Sequence, residues 1–258
     1  MSLKSIAGRL LERVGALRGA RTYSRLTPEE RSLAEWYTRY LGQEQGGGIS
    51  IRQKSCRDAD GLPIPWMTYA AIEYLKQFDL SKRTVLEFGS GSSTEFWASR
   101  VKEVTSVEND RSWYDKQRGA LRSNIKLVLA ETAEEYICPA SLGHQAYDIV
   151  VVDGRYRFDC ATRAINWVTS DGVVILDNAD WHPNTAAMLA GNGFFQVDFV
   201  GPGPLNAYAW ATSFFLRPDC FLQKVRSSSA PAVIGGINYI SDEDVSLVSV
   251  PGTLKRRE

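Results

Sequence analysis

Histidine and cysteine are scarce in this chain. Its 258 residues include two histidines, His144 and His182, and four cysteines (Cys56, Cys138, Cys160, Cys220) with no Cys-x-x-Cys pair among them. That excludes a zinc site built on Cys and His, and thiols so far apart fit a reducing, cytoplasmic setting rather than a disulfide framework. Charge of one sign is lacking as well: 30 Lys and Arg balance 30 Asp and Glu, so no nucleic-acid partner held by charge is expected. No apolar run approaches the roughly 20 residues of a membrane span. Charges interrupt every apolar stretch near the N-terminus, which argues against a signal peptide. A hydrophobic content of 44% suits one globular α/β domain with an appended segment.

What is present is organised around Val85–Thr94, Val-Leu-Glu-Phe-Gly-Ser-Gly-Ser-Ser-Thr. A short apolar run reads as a buried strand, and it opens through Gly89, Ser90, Gly91, Ser92 and Ser93 into a helix. Strand, glycine loop and helix form the unit that cradles a nucleotide at the carboxyl end of a parallel sheet. A dinucleotide fingerprint places a third glycine three residues after the second. Thr94 stands there instead, and an acid, Glu87, sits two residues before the first glycine.

This Glu-x-Gly-x-Gly pattern resembles the first motif of class I S-adenosylmethionine (SAM) dependent methyltransferases, in which the loop holds the methionine part of SAM. A second strand ends at Glu108 and Asn109, about 20 residues past the loop, where a carboxylate grips a ribose diol; the other reading is that Glu108 or Asp110 caps the following helix. A third strand, 125–130, ends at Glu131 and Thr132, which the resemblance places at the adenine. The fourth, Tyr147–Val152, is an apolar run but for Asp148 and ends in Asp153 and Gly154, both expected at the cofactor, and the fifth, Gly172–Leu176, ends in Asp177, Asn178 and Asp180. A closing pair, 194–200 and 212–216, separates the methyltransferase sheet from a dehydrogenase sheet. The expected fold is α/β: a Rossmann-like, seven-stranded, mostly parallel sheet with helices on both faces, an antiparallel C-terminal hairpin and N-terminal helices.

Three segments are expected: an N-terminal helical accessory segment over 1–48, the SAM-binding domain over 49–217 and an extension over 218–258. Residues 3–17 have helical apolar spacing with basic residues on other faces, which suits either an anionic membrane surface or packing on the chain's own domain or a partner subunit. Thr27-Pro28-Glu29-Glu30 signals a helix start, and Gly46-Gly47-Gly48 reads as a hinge or linker. Trp66 and Tyr69, at the helix ahead of the central strand, either face the ligand or belong to the core.

Asp153, Asp177 and Asn178 resemble the oxygen set of metal-dependent O-methyltransferases of the catechol, caffeoyl-CoA and macrocin type. The resemblance implies Mg²⁺, which would acidify an acceptor hydroxyl, with Asp153 and Asp177 catalytic. Catechol-type enzymes carry a lysine base after the strand-four aspartate; here the stretch is Gly154-Arg155-Tyr156-Arg157. That leaves His182 as a base, or else a helix-capping or surface histidine. Arg155 and Arg157 either bind an anionic substrate or pair with an acid. The expected activity is SAM-dependent O-methylation of a small molecule or sugar. Without metal, Asp177 and Asn178 would orient the substrate by hydrogen bonds. A SAM-fold binding protein without turnover and an NAD-dependent oxidoreductase are the competing readings.

Overall fold

The computed structural model describes residues 22–143, 145–226 and 233–236. The amphipathic pattern of residues 3–17, His144, the apolar run 245–248 and the basic tail lie outside them. Val233 and Ile234 enter a turn, closed by Gly236 N–H donating to the Val233 carbonyl.

Seven strands form one sheet: β1 (Thr84–Phe88), β2 (Glu103–Glu108), β3 (Ile125–Leu129), β4 (Tyr147–Val152), β5 (Val168–Leu176), β6 (Phe195–Gly201) and β7 (Trp210–Leu216). Their order is β3-β2-β1-β4-β5-β7-β6. The first five run parallel, and β7 pairs antiparallel with both β5 and β6. The antiparallel β7 sets this sheet apart from the all-parallel dinucleotide-binding order.

Eight helices flank it among the described residues: α1 (Pro28–Arg39), α2 (Gly47–Gln53), α3 (Tyr69–Leu75), α4 (Ser92–Ala98), α5 (Arg111–Gln117), α6 (Ala133–Ile137), α7 (Arg157–Trp167) and α8 (Pro183–Gly191). Side chains of a strand alternate between faces, so the sheet separates two cores. Val85, Ile149, Val151 and Ile175 pack with α3 and α4. Leu86, Val150, Val152 and Leu176 pack with α6, α7 and α8. Strand β4 is buried on both sides, as its apolar run requires.

Helix α1 begins as its sequence dictates. The Thr27 hydroxyl accepts from Glu30 N–H at 3.2 Å, and the Glu30 carboxylate accepts from Thr27 N–H at 2.8 Å, a reciprocal capping box with Pro28 at the first helical position. The triple glycine, in contrast, is not a linker. Gly46 adopts φ +79°, where a Cβ would collide with the Asp58 backbone, and Gly47 and Gly48 open helix α2. Gly46 allows close packing against the segment after α2, Gly47 and Gly48 against the Leu41 and Gly42 carbonyls before it, and the chain crosses the expected boundary at residue 48 without a break in structure.

Candidate functional site: the carboxyl edge of the sheet

The glycine loop is held from beneath by two buried acids. Glu87 follows Val85 onto the α4 side of β1. Its Oε2 accepts from the Thr94 hydroxyl at 2.6 Å and the Ser106 hydroxyl at 2.7 Å, while Oε1 is enclosed without a well-formed hydrogen bond. Burial raises the Glu87 carboxyl above its ordinary range, opposed by the hydroxyls of Ser93, Thr94 and Ser106. Thr94 also accepts from Gly91 N–H at 3.1 Å. A hydroxyl that ties loop, strand and acid together explains the threonine where a dinucleotide site has glycine.

Glu108 ends β2 directly behind the loop. The Ser90 hydroxyl donates to its Oε2 at 2.7 Å, and the Asn109 and Asp110 N–H groups donate to Oε1, each at 2.8 Å. Asp110, not Glu108, caps α5, accepting from Trp113 N–H at 2.9 Å. The Trp113 indole N–H returns to the Ser90 carbonyl at 3.0 Å.

The two loop glycines have different reasons to be glycine. Gly89 sits at φ +108°, packed against Gly154, a conformation that costs any residue with a Cβ. Gly91 is extended at φ 162°, and a Cβ there would meet no protein atom within 4 Å. Neither backbone strain nor internal packing requires glycine at position 91; it leaves a bare backbone face on the cleft. Gly154, expected at the cofactor, is instead a packing glycine. A side chain there would collide with the Tyr136 hydroxyl and press on the Phe88 carbonyl at 3.0 Å.

A cleft of about 450 Å³ opens on this loop, lined by Ser90, Gly91, Ser92, Ser93 and Asp153, together with Trp66 and Trp113. Its far wall, Lys54, Ser55, Cys56 and Arg57, carried no sequence signal. Ser55 and Ser92 hydroxyls lie 2.9 Å apart, joining this wall to the loop. Ser50 fixes the Arg57 backbone through its N–H and carbonyl, each at 2.8 Å. Arg57 Nε is enclosed with no partner among the described residues.

Several expected site residues lie elsewhere. Tyr69 is a core residue, 4% exposed. Thr132 caps α6, accepting from Glu135 N–H at 3.2 Å, and Glu131 forms an exposed ion pair with Arg111, so both side chains are committed to local structure. Arg155 is exposed and stacks its guanidinium 5.5 Å from the Tyr156 ring centre. His182 precedes α8 outside the cleft wall; burial and then the Arg157 guanidinium lower its pKa.

The ends of β4 and β5 do converge, but around a cation supplied by the chain. Arg157 Nη2 donates to the Asp153 carboxylate at 3.1 Å and to its carbonyl at 2.7 Å. Nη1 donates to Asn178 Oδ1 at 2.9 Å and to the Asp177 carbonyl, and Nε donates to the Gly154 carbonyl at 3.1 Å. Asn178 reaches it from a left-handed conformation, φ 52°, which asparagine tolerates better than most residues. Asp177 turns away: its Oδ1 accepts from the Thr212 hydroxyl at 2.6 Å and the Trp210 indole N–H at 2.9 Å. Burial raises the carboxyls of both Asp153 and Asp177. The Asp177 charge adds to the effect at Asp153, where Arg157 opposes it, and hydrogen bonds from Thr212 and Trp210 oppose it at Asp177. The Mg²⁺ expectation is therefore corrected: the donors do not fit a metal, because a guanidinium already engages Asp153 and Asn178 while Asp177 is bonded to β7. Among the described residues no group of three His, Cys, Asp or Glu side chains is arranged to hold one. Of the two readings of Arg157, pairing with an acid is the one observed.

No protein-family model matches the sequence, and no curated protein matches it. Solved structures do resemble the fold. A precorrin-6y C5,15-methyltransferase from Geobacter metallireducens GS-15 is 14% identical with TM-score 0.46, over 57% of this chain and 87% of that one. A methyltransferase-like protein from Silicibacter pomeroyi DSS-3 is 22% identical with TM-score 0.41, over 61% and 90%. A spermidine synthase is 14% identical with TM-score 0.47, over 61% and 62%. These are likenesses of fold; the assignment of the sheet rests on its own strand order. Among the described residues no helix is long and apolar enough to cross a membrane.

Proposed function

We propose that the chain is a SAM-dependent methyltransferase acting on a small molecule. The observation that carries this reading is Gly91: a glycine with no structural need for its missing side chain, facing the cleft on a loop backed by Glu87 and Glu108. SAM carries an ammonium and a sulfonium, and acids around this loop suit a cation. Glu108, steadied by Ser90, has one acceptor site left on Oε2 for a ribose hydroxyl, with Asn109 beside it. Trp113 offers a ring at the cleft wall for a flat base.

O-methylation of a sugar or phenol is the reaction we favour. Trp66, 47% exposed in the cleft wall, can lie against a ring, and Lys54 with the unpartnered Arg57 Nε suits an acceptor that bears an anionic group. Holding the acceptor oxygen in line with the methyl group supplies most of the acceleration. The test is S-adenosylhomocysteine (SAH) formation from SAM over a panel of sugars and phenols, with and without an anionic substituent. Product with at least one acceptor supports the reading. Absence of SAM binding together with saturable NAD binding would overturn it.

A further inference from the structure

Arg157 does more than pair with one acid. A guanidinium has five N–H donors in a fixed fork, and here five oxygens accept from it: the carboxylate and carbonyl of Asp153, the carbonyls of Gly154 and Asp177, and the amide of Asn178. The acceptors come from the ends of two adjacent strands, and the Arg157 side chain is 14% exposed. No donor is left over for a substrate. Divalent hard cations seek the same kind of oxygen set, and the guanidinium nitrogens stand 2.7–3.1 Å from four of these oxygens.

We propose that Arg157 is a resident cation that takes the place of a divalent metal at the β4–β5 edge. It fixes Asp153, which lines the cleft, and draws the two strand ends together. A metal retains exchangeable positions at which an acceptor oxygen can be acidified; a guanidinium with all its donors engaged has none. Arg157 is thus a positioning residue, and divalent ions neither bind at this edge nor act there. The inference does not depend on the identity of the ligand in the cleft.

The test is Mn²⁺ titration of the full chain followed by electron paramagnetic resonance. The unaltered protein is expected to show no saturable site tighter than about 1 mM, the weak end for hard-cation sites. Arg157→Ala is expected to gain one such site, lost again in Arg157→Ala with Asp153→Asn, and free guanidinium is expected to compete with Mn²⁺ there. Arg157→Lys keeps a cation at the edge and is expected to gain none. A single Mn²⁺ site in the unaltered protein that disappears in Asp153→Asn would overturn the inference. So would a folded Arg157→Ala protein that takes up neither Mn²⁺ nor guanidinium. If Arg157→Ala does not fold, the unaltered protein and Arg157→Lys decide by themselves: Mn²⁺ binding by either contradicts the inference, and binding by neither supports it. SAH affinity, measured separately, tests the cofactor reading without bearing on this result.

Discussion

Two acidic corners of one sheet edge have opposite fates. At the ends of β1 and β2, Glu87 and Glu108 are tied to hydroxyls and backbone N–H groups, Glu108 Oε2 keeps one open acceptor site, and Gly91 leaves space in front of the loop. At the ends of β4 and β5, Asp153 and Asn178 meet a guanidinium and Asp177 meets Trp210 and Thr212. In sequence both corners are the same signal, an apolar strand ending in acid and amide. Whether a carboxylate is offered to a ligand or consumed by the fold is decided by what else reaches it. The first corner opens on the cleft, and the second is already filled.

Substitutions should separate the corners. Gly91→Leu has the largest expected effect on binding: SAH affinity falls by roughly 100-fold or more, on the order of 3 kcal/mol, while the melting temperature holds because nothing in the protein crowds that Cβ. Arg157→Ala should do the reverse, costing about 3 kcal/mol through lost charge-assisted hydrogen bonds and an uncompensated Asp153, or roughly 6–12 °C of melting temperature in a chain of this size. Glu108→Gln should weaken SAH binding by about tenfold, one charge-assisted hydrogen bond, as calorimetry would show.

Acidity gives a further contrast. The carboxyls of Glu87, Asp153 and Asp177 are raised by burial. Their contribution to stability is full below the ordinary carboxylate value of about 4 and is lost as pH rises through the raised values, because ionising them in the folded state is costly. Glu87→Gln should therefore flatten the decline in melting temperature above that value, and the difference between variant and parent should shrink as pH falls toward 4. A difference independent of pH would contradict the assignment. The smallest expected effect is that of Thr132→Ala: a lost cap worth about 1 kcal/mol, with ligand binding unchanged.

Local signals are legible in the sequence. Strand β4 ends with its apolar run at Val152, and Thr27 and Pro28 start α1 as a capping sequence should. The order of elements and the closing hairpin were legible because helical and strand periods are local. What failed was distant in sequence or depended on side-chain direction. Trp210 and Thr212 take Asp177 from 33 and 35 residues away, and Ser55 reaches Ser92 across 37; no spacing rule contains such contacts. Thr132 stands three residues past the end of β3 and three before a glutamate, and its capping role is visible in Thr-Ala-Glu-Glu. Tyr69 carries the same composition signal whether it faces core or cleft, and only the docking of α3 on the hairpin, with Tyr69 N–H donating to the Pro202 carbonyl at 2.9 Å, turns it inward.

Calorimetric titration of the chain and of Gly91→Leu with SAH, with NAD as the control, decides whether the bare face at Gly91 serves a SAM-type ligand. The expected result is saturable SAH binding that is lost in Gly91→Leu without loss of folding, and none with NAD. SAH binding unchanged by Gly91→Leu, or saturable binding of NAD in place of SAH, would contradict it.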